Sequence, residues 1–563
     1  MEFKKVIVEL LSNIISDLPE NEIDELIEIP SNSEMGDFAF PCFKLAKIFR
    51  KAPNMIAADI GEKIGSSDYF SDIKIVGAYV NFYVNKKKYV ESVLGNRDAI
   101  NGKLDCGEGK TIVLDYSSPN IAKPFHIGHL RTTIIGNALY NIHEHLGYKC
   151  VGINHLGDWG TQFGKLIVAY KLWGSKEKIE KDGINELTNI YVKFHEEAEK
   201  NPQLDDDARA WFTKMENGDE EALALWQWFK DISLKEFNRI YDMLDIKFDS
   251  YAGESFYNDK MDVVIEELDD KGLIKISEGA KIVELEDDNM PPCLITKKDG
   301  STLYATRDIT AAIYRKKTYD FEKCIYVTAF DQNLHFAQWF KVIDKMGYDW
   351  HDKLIHVPYG LVSMESGKLS TRKGKVIYLE ELLNESIEKT KQIIEEKNPN
   401  LKDKEEVAKI VGIGAILFND MYNNRIKDVV FSWDKVLNFE GETGPYVQYT
   451  YARASSVLRK AEYDSKGESI NYDLLTDDLA FNVVKTLQRF QGVVVDAAEK
   501  LEPSFISRYV VDLAQEFNRF YHNCPIIVDD MELRNARLEI VSIVRDVIRE
   551  ALRLLGIKAP EQM

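Results

Sequence analysis

The chain has 563 residues, 45% hydrophobic and 29% charged, which suits about three or four folded domains and excludes a disordered tail, a collagen-like fibre or a small disulfide scaffold. Its 72 Lys and Arg against 93 Asp and Glu give a formal charge of −21, which argues against a general nucleic-acid coat protein but leaves room for a local basic site. Six cysteines, at 42, 106, 150, 293, 324 and 524, show neither zinc-ligand nor redox spacing. The first residues resemble neither a signal nor a transit peptide, and no apolar run approaches the ~20 residues that span a bilayer. These features predict a soluble cytoplasmic protein with reduced thiols, no membrane contact and no zinc.

Residues 1 to 101 read as a small α+β unit: a helix at the start, another near 53–65, and an alternating strand or hairpin from Ile73 to Val84. The glycine-rich stretch from Asn101 to Gly109 reads as a linker. Thr111 to Tyr116 is a short β-branched run, a candidate buried parallel strand, and Ser117-Ser118-Pro119-Asn120 breaks it. A helix is predicted from Ile127 to Leu146 with Gly147 at its C-terminal cap, then a strand from Lys149 to Asn154. Strand, helix, strand begins a doubly wound α/β sheet. The charged helical stretch near 175–260 reads as an insertion, and strand-like runs return at 293–296, 325–329 and 355–357. Beyond 380 the pattern predicts helices only, including an apolar-periodic stretch at 405–422. The expected division is an N-terminal domain at 1–101, a catalytic domain at 108–385, a helical connector at 386–440 and an all-α bundle at 441–563.

The segment Pro119-Asn120-Ile121-Ala122-Lys123-Pro124-Phe125-His126-Ile127-Gly128-His129 follows a strand and opens a helix, where backbone N–H groups and the helix dipole favour phosphate. His126 and His129 share one side of the first turn, and Gly128 between them leaves room for a ligand to approach the backbone. Such a pair can donate hydrogen bonds as charge builds on a pentavalent phosphorus. Between Ser366 and Val376 lie four cations and no acid: either a second phosphate-binding loop or a solvated charge run. Ten of the chain's 19 arginines fall after residue 440, yet that segment is still net acidic. Arginine forks phosphates and stacks on unpaired bases, so the bias suits a single-stranded RNA loop.

The histidine segment resembles the HIGH signature of class I aminoacyl-tRNA synthetases, and with Ser117-Ser118 before it looks specifically like arginyl-tRNA synthetase. Leu156-Gly157-Asp158-Trp159-Gly160-Thr161-Gln162-Phe163-Gly164, Tyr304-Ala305-Thr306-Arg307-Asp308 and Phe330-Asp331-Gln332-Asn333-Leu334-His335-Phe336 resemble further motifs of that family. Ala551-Leu552-Arg553 is similar to the motif of its anticodon-binding bundle, and residues 1–101 resemble its tRNA-elbow domain. Lys368-Leu369-Ser370-Thr371 resembles the KMSK loop, with Thr371 where the pattern has lysine.

The resemblance implies ATP-dependent ligation of L-arginine to tRNA(Arg) by a monomer, with Mg²⁺ carried by the nucleotide and no metal held by the protein. It implies catalytic roles for Lys123, His126, His129, Lys368, Ser370, Arg372 and Lys373, with Lys123, or alternatively Lys373, replacing the missing loop lysine. ATP contacts would come from His126, Gly128, His129 and His335. Tyr304 and Asp308, four apart on one helical face, resemble the ligands of the arginine side chain. Asp115, Asn120 and Gln332, with Asn81 reaching in from the N-terminal domain, look like partners of its polar groups. Asp308 could instead be a helix-surface acid paired to Arg307 or Arg315, and Asn81 a turn residue at a strand end. Tyr446, Gln448, Tyr449 and Arg453 are the candidate tRNA contacts, against plain packing between helices. The rival functions are a stand-alone H-x-G-H nucleotidyltransferase and a non-catalytic tRNA-binding paralogue.

Overall fold

The computed structural model describes residues 2–30, 32–364, 378–464 and 470–563. Its first unit comprises 1–102, 454–491 and 512–547. Strands β1 (Phe38–Pro41), β2 (Phe70–Val76) and β3 (Tyr79–Val84) form an antiparallel sheet in the order β1-β3-β2. The expected hairpin is β2–β3, and its turn places Gly77 at φ +61°, a conformation glycine adopts without Cβ strain. Val80, Phe82 and Val84 lie on one face of β3 and are buried; Asn81 lies on the other. Helices Glu2–Ser12, Pro53–Lys63 and Lys86–Leu94 accompany the sheet. Arg97 donates two hydrogen bonds to Glu539 at 2.9 and 2.8 Å, tying the start of the chain to its last long helix within this unit.

The second unit comprises 103–453, 492–511 and 548–563. Its parallel sheet contains β4 (Thr111–Asp115) and β5 (Lys149–Ile153), joined by the helix Leu130–His145. A three-stranded antiparallel sheet follows, from β6 (Ile274–Ser277), β7 (Ala280–Val283) and β8 (Cys293–Thr296). Strands β9 (Lys323–Ala329) and β10 (Leu354–Tyr359) then complete the parallel sheet, in the order β5-β4-β9-β10. Ile112, Val113 and Leu114 are all fully buried, which explains why β4 reads as a continuous apolar run rather than an alternation. Because the chain leaves β4 toward β5 and returns on its other side at β9, the crevice beyond the β4 and β9 carboxyl ends is a topological switch point, where such sheets bind ligands.

The expected insertion consists of helices Lys176–Asp182, Ile184–Ala198, Gln203–Glu216 and Glu220–Leu244. The strand expected at 293–296 is present, in the antiparallel sheet: Cys293 pairs with Val283 and Leu294 with Ile282. One expectation needs correction: the region beyond 380 is not helical throughout, because β12 (Val429–Phe431) pairs in parallel with β11 (Val362–Met364). Three residues are too few to register a period, and the partner is far away in sequence. The chain otherwise ends in long helices, among them Gly444–Ala461, Ser504–Asn523 and Met531–Leu554.

Candidate active site

The turn after β4 is built under strain. Ser117, Ser118 and Ala122 adopt φ of +70°, +47° and +59°, conformations that non-glycine residues hold only where their surroundings over-determine them. Here they do. The Ser117 amide donates to Thr132 Oγ1 at 3.0 Å, and the Ser117 hydroxyl lies 2.7 Å from the buried Tyr241 hydroxyl. Ser118 Oγ donates to Asp115 Oδ1 at 2.9 Å, and the Ala122 amide donates to Ser233 Oγ at 3.0 Å. Asn120 forms a parallel bridge with Gly157, and a Cβ on Gly157 would lie 2.1 Å from Asn120 Oδ1. That close approach accounts for the glycine in Leu156-Gly157-Asp158.

Ile127–His129 is a single 3₁₀ turn leading into the Leu130–His145 helix. His126 Nδ1 accepts from the Gly128 amide at 3.1 Å, and His129 Nδ1 accepts from the His126 amide at 3.2 Å. The two rings stack with centroids 3.9 Å apart. A nitrogen that accepts from a backbone amide carries no proton, so each ring is neutral and protonated on Nε2. Burial, helped by the nearby Lys123 charge, lowers the His126 pKa, and burial with the His126 and Lys123 charges brings His129 down to about 3. The turn thus offers two neutral N–H donors beside one exposed cation. A Cβ at Gly128 would lie 2.8 Å from His126 Cε1, so the glycine also makes space for the histidine's own ring.

Across the switch point, Tyr304 opens the helix Tyr304–Tyr319 with its side chain exposed, and Asp308 follows one turn later. Neither arginine proposed as the alternative partner of Asp308 takes it. Arg315 pairs with Asp115 at 2.8 Å, Arg307 lies 4.0 Å from Glu254, and Asp308 Oδ2 lies 2.6 Å from His335 Nε2. Asp115 is therefore already neutralised by a buried guanidinium and bonded to Ser118. Gln332 is exposed on the turn after β9, and its amide donates to Asp331 at 3.4 Å. Asn81 lies in the other unit, buried, and among the described residues neither of its amide atoms has a hydrogen-bond partner.

Sequence reasoning missed Glu254. Its carboxyl is pushed up to about 7, chiefly by burial, with Arg307 opposing and Asp308 and Asp158 adding to the rise. A cluster of carboxylates with one of them half-protonated near neutrality is well matched to an incoming cation. Nothing at 254 stands out in sequence, because the short 3₁₀ turn Glu254–Tyr257 meets Asp308 only through the fold. A cavity of about 540 Å³ opens beside Tyr304 and Arg307, lined also by Trp159, Gln162, Phe212 and Lys297.

Of the candidate tRNA contacts, Gln448 is corrected. It is fully buried, and its amide donates to the carbonyls of Ile410 and Lys558, so it serves as packing polar glue rather than an RNA contact. Tyr449 is 40% exposed, with the Arg453 guanidinium 4.9 Å from its ring centroid; Tyr446 is half-buried. Lys368, Ser370, Thr371, Arg372 and Lys373 lie outside the described residues. Among the described residues, no group of three or more His, Cys, Asp or Glu side chains is placed to hold a metal ion.

Three family models match the chain in succession: the arginyl tRNA synthetase N-terminal domain over residues 1–84, the catalytic domain of class I (R) tRNA synthetases over 89–433, and the DALR anticodon-binding domain over 447–563. The arginine–tRNA ligase of Alkaliphilus metalliredigens is 60% identical and that of Halothermothrix orenii 57%, each alignment covering all of both chains. Among solved structures, Thermus thermophilus arginyl-tRNA synthetase superposes with a TM-score of 0.82 over the full length of both chains, at 23% identity. The Plasmodium falciparum arginyl-tRNA synthetase gives 0.81 at 27% identity, over all of this chain and 98% of that one. The strained turn after β4, the stacked histidines and the carboxylate cluster across the switch point therefore sit in a chain that belongs to the arginine–tRNA ligases, a family of class I aminoacyl-tRNA synthetases.

Proposed function

We propose that the chain ligates L-arginine to tRNA(Arg) in two steps at the β4–β9 crevice. The arginine carboxylate attacks the α-phosphorus of ATP, the bond to the β-phosphate oxygen breaks and pyrophosphate leaves. A ribose hydroxyl of the terminal tRNA nucleotide then attacks the acyl carbon of the adenylate and releases AMP. In-line chemistry of this kind needs positioning and charge relief rather than a protein nucleophile. The stacked His126–His129 pair supports this most, because two neutral N–H donors on a phosphate-binding turn can follow charge as it builds on phosphate oxygens. Lys123 adds a mobile cation beside them, and Mg²⁺ enters with the nucleotide.

Asp308, with Tyr304 and Glu254, takes the guanidinium; His335 serves the nucleotide; Asn120 and Gln332 hold the polar end of the amino acid. Asp115 acts through Arg315 and Ser118, holding the crevice edge. Lys368, Ser370, Arg372 and Lys373 contribute phosphate contacts by their place in the sequence motif. Tyr446, Tyr449 and Arg453 offer stacking and charge to RNA. The enzyme acts as a cytoplasmic monomer; no described helix is long and apolar enough to cross a membrane. A stand-alone nucleotidyltransferase is disfavoured, because relatives named arginine–tRNA ligase match from end to end. Charging of total tRNA with each of the twenty amino acids plus ATP tests the function: arginine alone should give aminoacyl-tRNA, and failure with arginine would refute it.

A further inference from the structure

Asp308 stands one turn into the Tyr304–Tyr319 helix, and His335 stands on the first turn of the helix Asn333–Lys345. Their side chains meet at 2.6 Å, His335 Nε2 to Asp308 Oδ2, and stay 29% and 25% exposed. Among the described residues Asp308 has no other hydrogen-bond or ion-pair partner. An ionised carboxylate can only accept, so the shared proton belongs to Nε2, and a neutral imidazole so protonated keeps Nδ1 as an acceptor. The ring stands edge-on to Phe336 with centroids 5.6 Å apart. Phe336 stacks on His356 at 4.3 Å, and His356 Nε2 lies 2.7 Å from Thr328 Oγ1. The imidazole is thus referenced to β9 and β10 through an unbroken series of contacts.

We propose that His335 is a positioning residue for arginine: its Nε2–H fixes the Asp308 carboxylate, leaving Oδ1 for the guanidinium, while its Nδ1 accepts from an N–H or O–H group of the nucleotide. An aspartate carboxylate otherwise rotates broadly about χ2, and holding it in advance removes an ordering cost from binding. The tautomer also selects the nucleotide atom. An acceptor nitrogen suits a base amine or a ribose hydroxyl and repels a phosphate oxygen. Because one ring serves both ligands, each should tighten the other by the same factor.

This deepens the reading of Asp308 as the guanidinium ligand, and calorimetry on the whole chain separates the two. Arginine is titrated with and without α,β-methylene-ATP into the wild type, H335A, H335Q, D308N and the H335A/D308N double variant. H335A should weaken arginine about tenfold, the value of a hydrogen bond to a charged group, and abolish the tightening by the nucleotide. H335Q, whose amide N–H reaches the Nε2 position, should keep arginine affinity within about threefold of wild type. Against D308N, H335A should cost arginine nothing further. Arginine binding unchanged in H335A but lost in D308N overturns the positioning role and leaves the guanidinium site standing. H335Q as weak as H335A, or an H335A loss that persists in D308N, also overturns it. Arginine binding unchanged in D308N overturns both.

Discussion

His126 and His129 show how two residues named for their chemistry depend on one named for its absence of a side chain. Each Nδ1 accepts from a backbone amide, and the rings stack only because position 128 has no Cβ. With folded pKa values below the ordinary 6.5, both rings stay neutral through physiological pH. The unfolded chain binds the protons they refuse, so their effect on stability appears only as pH falls below about 6.5 toward 3. Lys123 carries the charge they lack. Lys123→Ala should slow adenylate formation about 10²-fold, the typical loss for one charge-stabilising donor, and Thr371→Lys should restore part of it; pre-steady-state formation of arginyl-adenylate measures both. Glu254 sets a second residue-scale expectation. Its carboxyl titrates near 7, and ionisation favours a cationic ligand, so arginine affinity should rise by up to about tenfold between pH 6 and pH 8. Glu254→Gln should flatten that profile in calorimetric titrations at the two pH values.

At the scale of elements, the start of the signature helix Leu130–His145 is held by a buried ion pair. Arg131 and Asp420 are 1% and 5% exposed in their side chains and meet at 3.0 Å; Arg131 also donates to the carbonyls of Gly360 and Lys427 at 2.6 and 2.9 Å. These bonds fix the helix start to the corner where β10 gives way to β11. Removing the carboxylate would leave a buried guanidinium unpaired, which costs about 3–5 kcal/mol. Asp420→Ala should therefore lower the thermal midpoint of the chain markedly by calorimetry, whereas Asp434→Ala, on a separate short helix, should not. Local pattern made much of this legible: β4, the signature helix and β5 follow from an apolar run, a 3.6 period and Gly147 at the cap. It did not reveal β12, the sheet membership of β8 or the partner of Asp308. Each of those is settled by a residue distant in sequence, and propensity carries no record of it. The same limit hid Glu254 and made Gln448 look available when its amide is already spent on two carbonyls.

At the scale of the whole molecule, a chain of net charge −21 that binds a polyanion must concentrate its recognition in a few places. Under the proposed function, Tyr449 with Arg453 over its ring would be one such place, an exposed aromatic face paired with a guanidinium. Base stacking on an aromatic is worth about 1–3 kcal/mol, so Tyr449→Ala should raise the tRNA KM roughly tenfold while the arginine and ATP KM values stay unchanged in steady-state charging. The arginine bias after residue 440 pointed toward RNA, but the net acidity of that segment meant that composition alone could not choose the residues. The central claim is that the carboxylate cluster around Asp308 selects a guanidinium for adenylation beside the His126–His129 turn. ATP–pyrophosphate exchange, run with tRNA present, should compare arginine with citrulline, its neutral isostere. A site built to bond one charged group rejects the analogue lacking it, so kcat/KM should fall by at least about 10³-fold with citrulline. Exchange with citrulline within about tenfold of arginine would contradict the account.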